Sequence, residues 1–600
     1  MKKKMYALFA LIVASNSVSA QSKLVEEQNK VQKPVVYQVF TRLFGNTNTT
    51  NKPWGSKAEN GVGKFADFTP KALNEIKDMG VSHIWYTGVL HHAMAEDYTQ
   101  FGISLDDPDV IKGRAGSPYA IKDYYSVNPD LANNPAKRIE EFEALIKRSH
   151  AAGLKVIIDI VPNHVARRYE SIAKPKGVIG LGEKDDTSVT YSKFNDFYYI
   201  PGAALSLPKF PEDYSPLGGD AHPLVDGKFD ENPAKWTGNG SREAQPNFND
   251  WYETVKVNYG VKPDGSYDFA TLPSEYATKS YRDVVVFWQD KELPSSWHKM
   301  RDIAFYWLDK GVDGFRYDMA EMVPVEFWSY LNAHIKAKKP EATLIAEVYN
   351  PTLYRDYIHL GKMDYLYDKV GFYDTLKWIM QGKQSATTLI PVHHEVKDIA
   401  PHMLNFLENH DEQRIASPDF VGDMDKGKPA MVVSHLISQS PSLIYFGQEV
   451  GEPGAENAGF GSPTRTSIFD YVGVPQHQKW VNNGKFDGGL LSGQQKALRK
   501  FYKTLLNLAK RDAIKQGSLI DITSELGEAK DKVIGFIRKS EHDTLLILAN
   551  FGDKAQSVTL PYNVTPANLL RFAGNNKIQT NNKTTNFTLV PEGAVVVVVE

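Results

Sequence analysis

The chain has no cysteine among its 600 residues and no excess of either charge. Disulfide bridges and a lipid anchor on an N-terminal cysteine are therefore excluded. The 69 Lys and Arg residues and 72 Asp and Glu residues give a formal net charge of −3. Because nucleic acids and anionic membranes are bound by clustered basic residues, this balance argues against such partners.

Long hydrophobic runs are also missing after residue 20, where no apolar stretch approaches the length of about 18 residues that spans a bilayer. The N-terminus has three lysines, an apolar stretch at 5–14 and small residues at 18–20. This pattern is typical of a cleaved bacterial signal peptide, and about ten apolar residues are too few for a membrane anchor. We therefore expect a signal peptide at 1–20, a polar tether at 21–33, and a periplasmic or secreted protein with no membrane anchor after cleavage.

Eight short apolar segments alternate with amphipathic helical segments over residues 34–515. The predicted strands are 35–40, 81–90, 155–161, 312–318, 342–348, 363–368, 403–409 and 442–449. Two predicted helices, 138–153 and 298–311, end at a glycine, as helices often do. Apolar strands separated by helices indicate a parallel sheet covered on both faces, and eight such units predict a (β/α)8 TIM barrel.

Two further regions interrupt or follow the barrel pattern. About 130 residues rich in Gly, Asn, Asp, Tyr and Trp separate the third predicted strand from the helix before the fourth, which is too long for a simple loop. We predict an inserted domain there, at about 165–290. From 516 to 600, short strands at close spacing predict a C-terminal antiparallel β-sandwich.

Polar and ionisable side chains stand at the C-terminal ends of the predicted strands, where TIM barrels build their sites. They are Asp159, Asn163, His164, Arg316, Asp318, Glu347, His410 and Asp411. Arg316 and Asp318 are two positions apart and therefore share one face of a strand. We expect the guanidinium to keep Asp318 ionised, as a nucleophile requires, and Glu347 to stay protonated beside that negative charge, as a general acid requires.

One ionised and one protonated carboxyl group form the arrangement that cleaves glycosidic bonds. A structural ion pair is the alternative for Arg316 and Asp318 taken alone. Three acids and two histidines at the ends of several strands favour the catalytic interpretation.

Six segments, in order along the chain, resemble motifs of glycoside hydrolase family 13, the α-amylase family. They are "DIVPNH" (159–164), "QPNFN" (245–249), "GFRYDMAEM" (314–322), "LIAEVYN" (344–350), "FLENHDEQR" (406–414) and "SPSLIYFGQE" (440–449). The resemblance implies hydrolysis of α-1,4-glucosidic bonds in starch-like glucans or malto-oligosaccharides. It further implies a retaining mechanism through a covalent glycosyl-enzyme.

Position by position, the resemblance implies that Asp318 is the nucleophile and Glu347 the acid/base. Asp411 would be the third carboxylate, which binds and distorts the sugar at the cleavage point. The other implied substrate-binding residues are Tyr119, which would stack on that sugar, His164 and His410, which would bind its hydroxyls, and Arg316, which would orient the nucleophile. Aromatic residues in or near predicted loops could stack on outer sugars or simply pack: Trp54, Trp251, Tyr252 and Trp288.

Two departures from the family pattern concern calcium binding and the sugar on the leaving-group side of the cleaved bond. Many α-amylases have Lys-His where this chain has Glu321 and Met322, and aspartates are common where it has Asn247 and Asn249. Because calcium prefers several charged oxygens, losing carboxylates weakens a structural calcium site between barrel and inserted domain. Asn163 is retained as the candidate calcium ligand, and the carbonyl at 322 could be a second. No organic cofactor is expected.

Three functions stay open at this point. The first is the hydrolysis described above. The second is an α-glucanotransferase, a maltosyltransferase or an exo-acting α-glucosidase on the same fold, depending on what captures the glycosyl-enzyme. The third is a non-catalytic sugar-binding protein, which the presence of all three carboxylates disfavours.

Overall fold

A computed structural model describes residues 33–564, 569–581 and 583–599. The predicted signal peptide at 1–20 and nearly all of the predicted tether at 21–33 lie outside the described residues. Within the described part of the chain, no helix combines the length and apolar character needed to cross a membrane.

Eight parallel strands close into a barrel, which confirms the predicted fold. They are β1 (Val35–Phe40), β2 (His83–Thr87), β3 (Lys155–Ile160), β4 (Gly314–Tyr317), β5 (Thr343–Ala346), β6 (Tyr365–Tyr367), β7 (Met403–Phe406) and β8 (Ser442–Tyr445). Each strand pairs with its neighbour in the sequence, and β8 pairs with β1 to close the ring. Every predicted barrel segment contains one of these strands.

Helices between the strands and after β8 form the outer layer of the barrel. They are Thr41–Phe44, Lys57–Asn60, Pro70–Asp78, Arg138–Ala151, Tyr281–Trp288, Ser295–Asp309, Val325–Lys338, Tyr354–His359, Asp374–Met380, Leu389–Glu395, Gly427–Leu436, Pro475–Val481, Gly493–Leu506 and Asp512–Lys515. Gly153 and Gly311 follow two of these helices with φ of 75° and 103°, a conformation that glycine adopts without steric cost.

The barrel interior is filled by side chains from alternate strand positions. Its apolar layer consists of Val36, Trp85, Ile157, Ile345, Tyr367, Leu404, Phe406 and Leu443, all buried. Gly314 starts β4 at this level, and a Cβ there would collide with the Thr343 carbonyl of β5. Glycine therefore allows β4 and β5 to approach closely. One step further along β3 and β4, the inward positions carry Asp159 and Arg316.

The segment inserted after β3 consists of short strands and loops. Strand His164–Ala166 pairs antiparallel with Thr254–Lys256, and Tyr199–Ile200 pairs with Ala234–Lys235. The strand His164–Ala166 starts directly after Asn163, so its partner strand Thr254–Lys256 lies against the rim at which β3 ends. Another antiparallel pair, Leu90–His92 with Ile121–Val127, follows β2.

The C-terminal residues form two packed antiparallel sheets, as the sequence predicts. One contains, in spatial order, Ser518–Asp521, Val533–Lys539, Thr544–Asn550, Ala594–Val598 and Leu569–Ala573, and the other contains Gln556–Leu560, Thr585–Leu589 and Lys577–Thr580. Buried apolar side chains that include Leu546, Val558 and Phe587 fill the space between them. Arg538 donates to the Ile437 carbonyl at 2.8 Å and so joins the sandwich to the barrel.

Candidate active site

Arg316 is fully buried at the C-terminal mouth of the barrel, where its guanidinium contacts carboxylates from three strands. Nη1 lies 2.8 Å from Asp318 Oδ1 and 3.4 Å from Asp159 Oδ1. Nη2 lies 2.8 Å from Glu347 Oε2, and Nε donates to the Tyr367 hydroxyl at 3.2 Å. One planar fork of donors therefore fixes Asp318 and Glu347 relative to each other.

Aromatic rings enclose this guanidinium. Its central carbon lies 5.2 Å from the centre of the Trp85 ring, 5.5 Å from Tyr119 and 5.6 Å from Tyr367. Trp85 Nε1 also donates to Asp159 Oδ2 at 3.0 Å. These side chains keep water away from the ion pairs, and electrostatic interactions are stronger where water is excluded.

The environment of Asp318 differs from the sequence-based expectation. Burial raises the pKa of the Asp318 carboxyl well above its ordinary value, the Glu347 carboxylate raises that pKa further, and Arg316 lowers it. The expectation that Arg316 lowers the pKa of Asp318 below its ordinary value is therefore wrong, because burial and the Glu347 charge outweigh the guanidinium. Asp318 depends on Arg316 to become the anion that a nucleophile must be.

Asp411 lies across the cleft from the pair on Arg316. The Asx turn that follows β7 positions it, because Asn409 Oδ1 accepts the backbone N–H groups of Asp411 at 2.8 Å and Glu412 at 3.0 Å. The surrounding cleft walls raise the pKa of Asp411 to about 7, and the Glu347 charge adds to this. The Asp411 carboxyl can therefore donate or accept a hydrogen bond near neutral pH.

His410 is buried behind the cleft surface and held in one tautomer. Gln38 Nε2 donates to its Nδ1 at 2.8 Å, while its Nε2 lies 3.1 Å from Asp411 Oδ2 and contacts the Tyr119 hydroxyl. Burial and the charge of Arg316 lower the pKa of His410, so the ring is neutral and carries its hydrogen on Nε2. No motif marks Gln38, although a polar residue at an inward position of β1 is a signal for a site residue.

His164 forms part of another wall of the same cleft. Burial lowers its pKa to about 3, with smaller effects from Lys256 and Lys112, so this imidazole is neutral as well. The Trp251 ring meets it edge-on, with ring centres 5.3 Å apart. Trp251 is therefore the one member of the four suggested stacking aromatics that faces the site. Trp288 instead donates to Ser329 Oγ within the outer helical layer.

Asn163, the candidate calcium ligand, is already bonded on both ends of its amide. Its Nδ2 donates to the Gly238 carbonyl at 2.9 Å and lies 3.0 Å from His164 Nδ1. Its Oδ1 accepts a hydrogen bond from Lys256 Nζ, which also lies 3.4 Å from the Met322 carbonyl. Burial lowers the pKa of Lys256 to about 8, which leaves this amine protonated at neutral pH. In the described part of the chain, no group of three or more His, Cys, Asp or Glu could hold a metal ion. Because the Lys256 ammonium already occupies the Asn163 amide oxygen, the side chains at this position do not fit a calcium site.

The turn after β4 is hydrogen-bonded to the end of β5 and to the loop that follows it. Met319 has a positive φ of 46°, a strained conformation for a residue other than glycine, and its N–H donates to Glu347 Oε2 at 2.9 Å. Glu321 Oε2 accepts the backbone N–H groups of Tyr349 at 2.8 Å and Asn350 at 2.9 Å. The Glu321 side chain therefore anchors the loop after β5 by binding the backbone of that loop.

These residues surround a cleft of about 500 Å³. The side chains that line it are Lys112, Ser117, Tyr119, His164, Trp251, Glu253, Asp318, Met319, Glu347, Tyr349, Lys369, Val370, Asp411, Glu412, Arg465, Ile468 and Phe469. Five predicted site residues are among them, whereas Arg316 and His410 support the cleft from behind. Lys369, Arg465 and Phe469 lie outside the motif segments, so no sequence signal marks them.

A (β/α)8 barrel with two carboxylates on one buried arginine and a third across the cleft defines a glycosidase type of site. The family model described as "Alpha amylase, catalytic domain" matches residues 38–483, and "Maltogenic Amylase, C-terminal domain" matches 525–596. The chain belongs to the α-amylase family of glycoside hydrolases.

Several characterised proteins resemble the chain over most of its length. A cyclomaltodextrinase of Bacillus sp is 22% identical over 88% of this chain and 74% of the relative. Neopullulanase 2 of Thermoactinomyces vulgaris is 21% identical over 88% of this chain and 71% of the relative. The α-amylase of Geobacillus thermoleovorans, solved with acarbose, superposes with a TM-score of 0.56 at 19% identity, covering 95% of this chain and 98% of that one.

The anchoring role of Glu321 predicts a difference between two variants. Glu321→Gln keeps an oxygen that can accept both N–H groups, so its activity on maltoheptaose should stay near that of the wild type. Glu321→Ala leaves both donors without this acceptor, which should cost about 0.5–1.5 kcal/mol of stability, because water can reach the Asn350 N–H. It should also lower kcat, because the loop after Glu347 loosens. Urea unfolding and steady-state kinetics measure the two effects. Equal behaviour of the two variants would contradict the anchoring role.

The opposing effects on Asp318 predict how the pH profile responds to changes at Arg316. Arg316→Gln removes the charge that lowers the pKa of Asp318, so the acidic limb of kcat/KM should move to higher pH. Arg316→Lys keeps a positive charge but loses the fork, so its acidic limb should stay closer to that of the wild type. For both variants we expect kcat to fall by about 10²-fold or more.

The measurement is a pH–rate profile on maltoheptaose, with thermal unfolding as the control for correct folding of the variants. An acidic limb of Arg316→Gln that coincides with the wild-type limb would contradict this account of Asp318.

Proposed function

We propose that the protein hydrolyses α-1,4-glucosidic bonds in starch-like glucans or malto-oligosaccharides with retention of anomeric configuration. The observation that carries this proposal is the shared guanidinium: Asp318 and Glu347 sit on neighbouring terminal nitrogens of Arg316, each at 2.8 Å. The proposed location, periplasmic or secreted, rests on the pattern of the first 20 residues.

The closeness of the two carboxyl groups supports retention. Retaining glycosidases hold their two carboxyl groups about 5 Å apart, whereas inverting enzymes leave about 6.5–9.5 Å for an attacking water. Two groups that bind adjacent nitrogens of one guanidinium lie close together, which favours the shorter separation. Asp318 can then reach the anomeric carbon directly.

The proposed reaction has two steps. In the first, an Asp318 oxygen bonds to the anomeric carbon while Glu347 gives its proton to the departing glycosidic oxygen, which leaves with the electrons of the broken bond. In the second, Glu347 takes a proton from water, the water oxygen bonds to the same carbon, and the Asp318 carboxylate is released. Met319 N–H and Arg316 hold Glu347 Oε2 throughout.

The neutral histidines and Asp411 are suited to a sugar with several hydroxyl groups. His410 and Asp411 are already in contact, and His164 stands on another wall of the same cleft. Tyr119, Trp251 and Tyr349 present aromatic side chains to the cleft, and such rings stack on the faces of sugar rings. The names of the relatives, a cyclomaltodextrinase, a neopullulanase and an α-amylase, support an α-glucan as the substrate.

The test is the set of products formed from maltoheptaose, together with the configuration of the first product by proton NMR. We expect shorter malto-oligosaccharides that appear first as the α-anomer. Asp318→Asn should lose nearly all activity, while Asp309→Asn, an exposed aspartate on the helix before β4, should keep it.

Each other outcome points to a different function. Products longer than maltoheptaose would replace hydrolysis by glucan transfer, and glucose as the sole product would indicate an exo-acting α-glucosidase. A first product in the β-configuration would contradict retention. If no sugar is released and Glu347→Gln binds glucan as tightly as the wild type, the protein is a sugar-binding protein and the proposal fails.

A further inference from the structure

Lys256 lies where the inserted segment meets the barrel. It ends strand Thr254–Lys256 and is the cross-strand partner of His164. Its ammonium contacts Asn163 Oδ1 at the end of β3 and lies 3.4 Å from the Met322 carbonyl in the turn after β4. These are the two oxygens that the sequence offers as candidate calcium ligands. A side-chain cation therefore stands between them.

The surroundings of Lys256 suit one positive charge better than two. No carboxylate lies within ion-pair distance of its ammonium among the described residues, and its two oxygen partners are neutral. Calcium takes six to eight oxygens, usually with several carboxylates, because it must be compensated for the loss of its water shell. A lysine ammonium has three donors and needs only a few acceptors.

Hydrogen bonds to both the side chain and the backbone of Asn163 orient it for this contact. Its Nδ2 donates to Gly238, and its carbonyl accepts the Val257 N–H at 3.1 Å. Both partners belong to the inserted segment. The amide oxygen is thereby turned toward Lys256, and the end of β3 is fastened to the insertion by several bonds.

We propose that Lys256 replaces a structural calcium ion in this protein, so that a built-in ammonium fastens the inserted segment to the rim of the barrel. Asn163 precedes the sugar-facing His164, and Met322 follows Asp318 by four residues. One ammonium therefore holds two rim segments of the cleft in place, and the protein folds to full stability without metal. This inference does not depend on the substrate or on the catalytic steps.

The first test uses the unmodified protein. Its unfolding temperature is measured by calorimetry after treatment with EDTA and again with added CaCl₂, and its metal content is measured by mass spectrometry. We expect the same unfolding temperature in both conditions and no stoichiometric calcium. An unfolding temperature that falls with EDTA and recovers with calcium, or one calcium per chain after purification, would overturn the proposal.

The second test compares two lysines of the inserted segment. Lys256→Met should lower the unfolding temperature and speed up cleavage within residues 165–280 by a low concentration of thermolysin, at a temperature well below unfolding. Lys262→Met is the matched control, because Lys262 is 41% exposed and lies 4.0 Å from Asp268.

The control should unfold and be cleaved like the wild type. If Lys256→Met behaves like Lys262→Met, the ammonium holds nothing together and the proposal is wrong. If Lys256→Met fails to fold, the calcium measurements on the unmodified protein decide the question alone.

Discussion

The site depends on one buried guanidinium with more than one anionic partner. Arg316 holds Asp318 and Glu347 on adjacent nitrogens and approaches Asp159 below them. Isolating a positive charge from water is costly, and the three carboxyl groups together with the aromatic rings compensate for it. The same contacts also serve the reaction. They hold the Asp318 and Glu347 carboxyl groups, which act on one bond, in fixed positions, and they oppose the rise in the pKa of Asp318 caused by burial.

The surrounding structure keeps this arginine and its partners in register. Gly314 lets β4 lie close to β5, which carries Glu347 at its end. Beyond the strands, Met319 in its strained backbone conformation donates to Glu347, and Glu321 binds the loop that follows it. The stretch that departs from the usual α-amylase residues therefore has a local structural explanation, in which an acidic side chain supports the catalytic loop through backbone contacts.

The barrel, the sandwich and the shared face of Arg316 and Asp318 can be predicted from the sequence, because these follow from local periodicity and the rule that strand ends meet at one mouth. Contacts that depend on the closure of the barrel cannot be predicted in this way. Gln38 on the first strand meets His410 after the seventh, a separation of 372 residues. Lys256 likewise reaches Asn163, 93 residues earlier, only because its strand pairs with His164–Ala166, and nothing in its sequence neighbourhood marks it as a cation for that amide.

The central claim is that Asp318, held by Arg316, forms the bond to the sugar. It is tested most directly with Glu347→Gln and α-maltosyl fluoride, whose leaving group needs no acid, so that the first step proceeds while the second lacks its base. Proteolysis and mass spectrometry then locate the attached sugar. The account predicts one maltosyl group on the peptide that contains Asp318. Attachment to the peptide of Asp411 or Asp159, or no attachment while the fluoride is consumed, would contradict it.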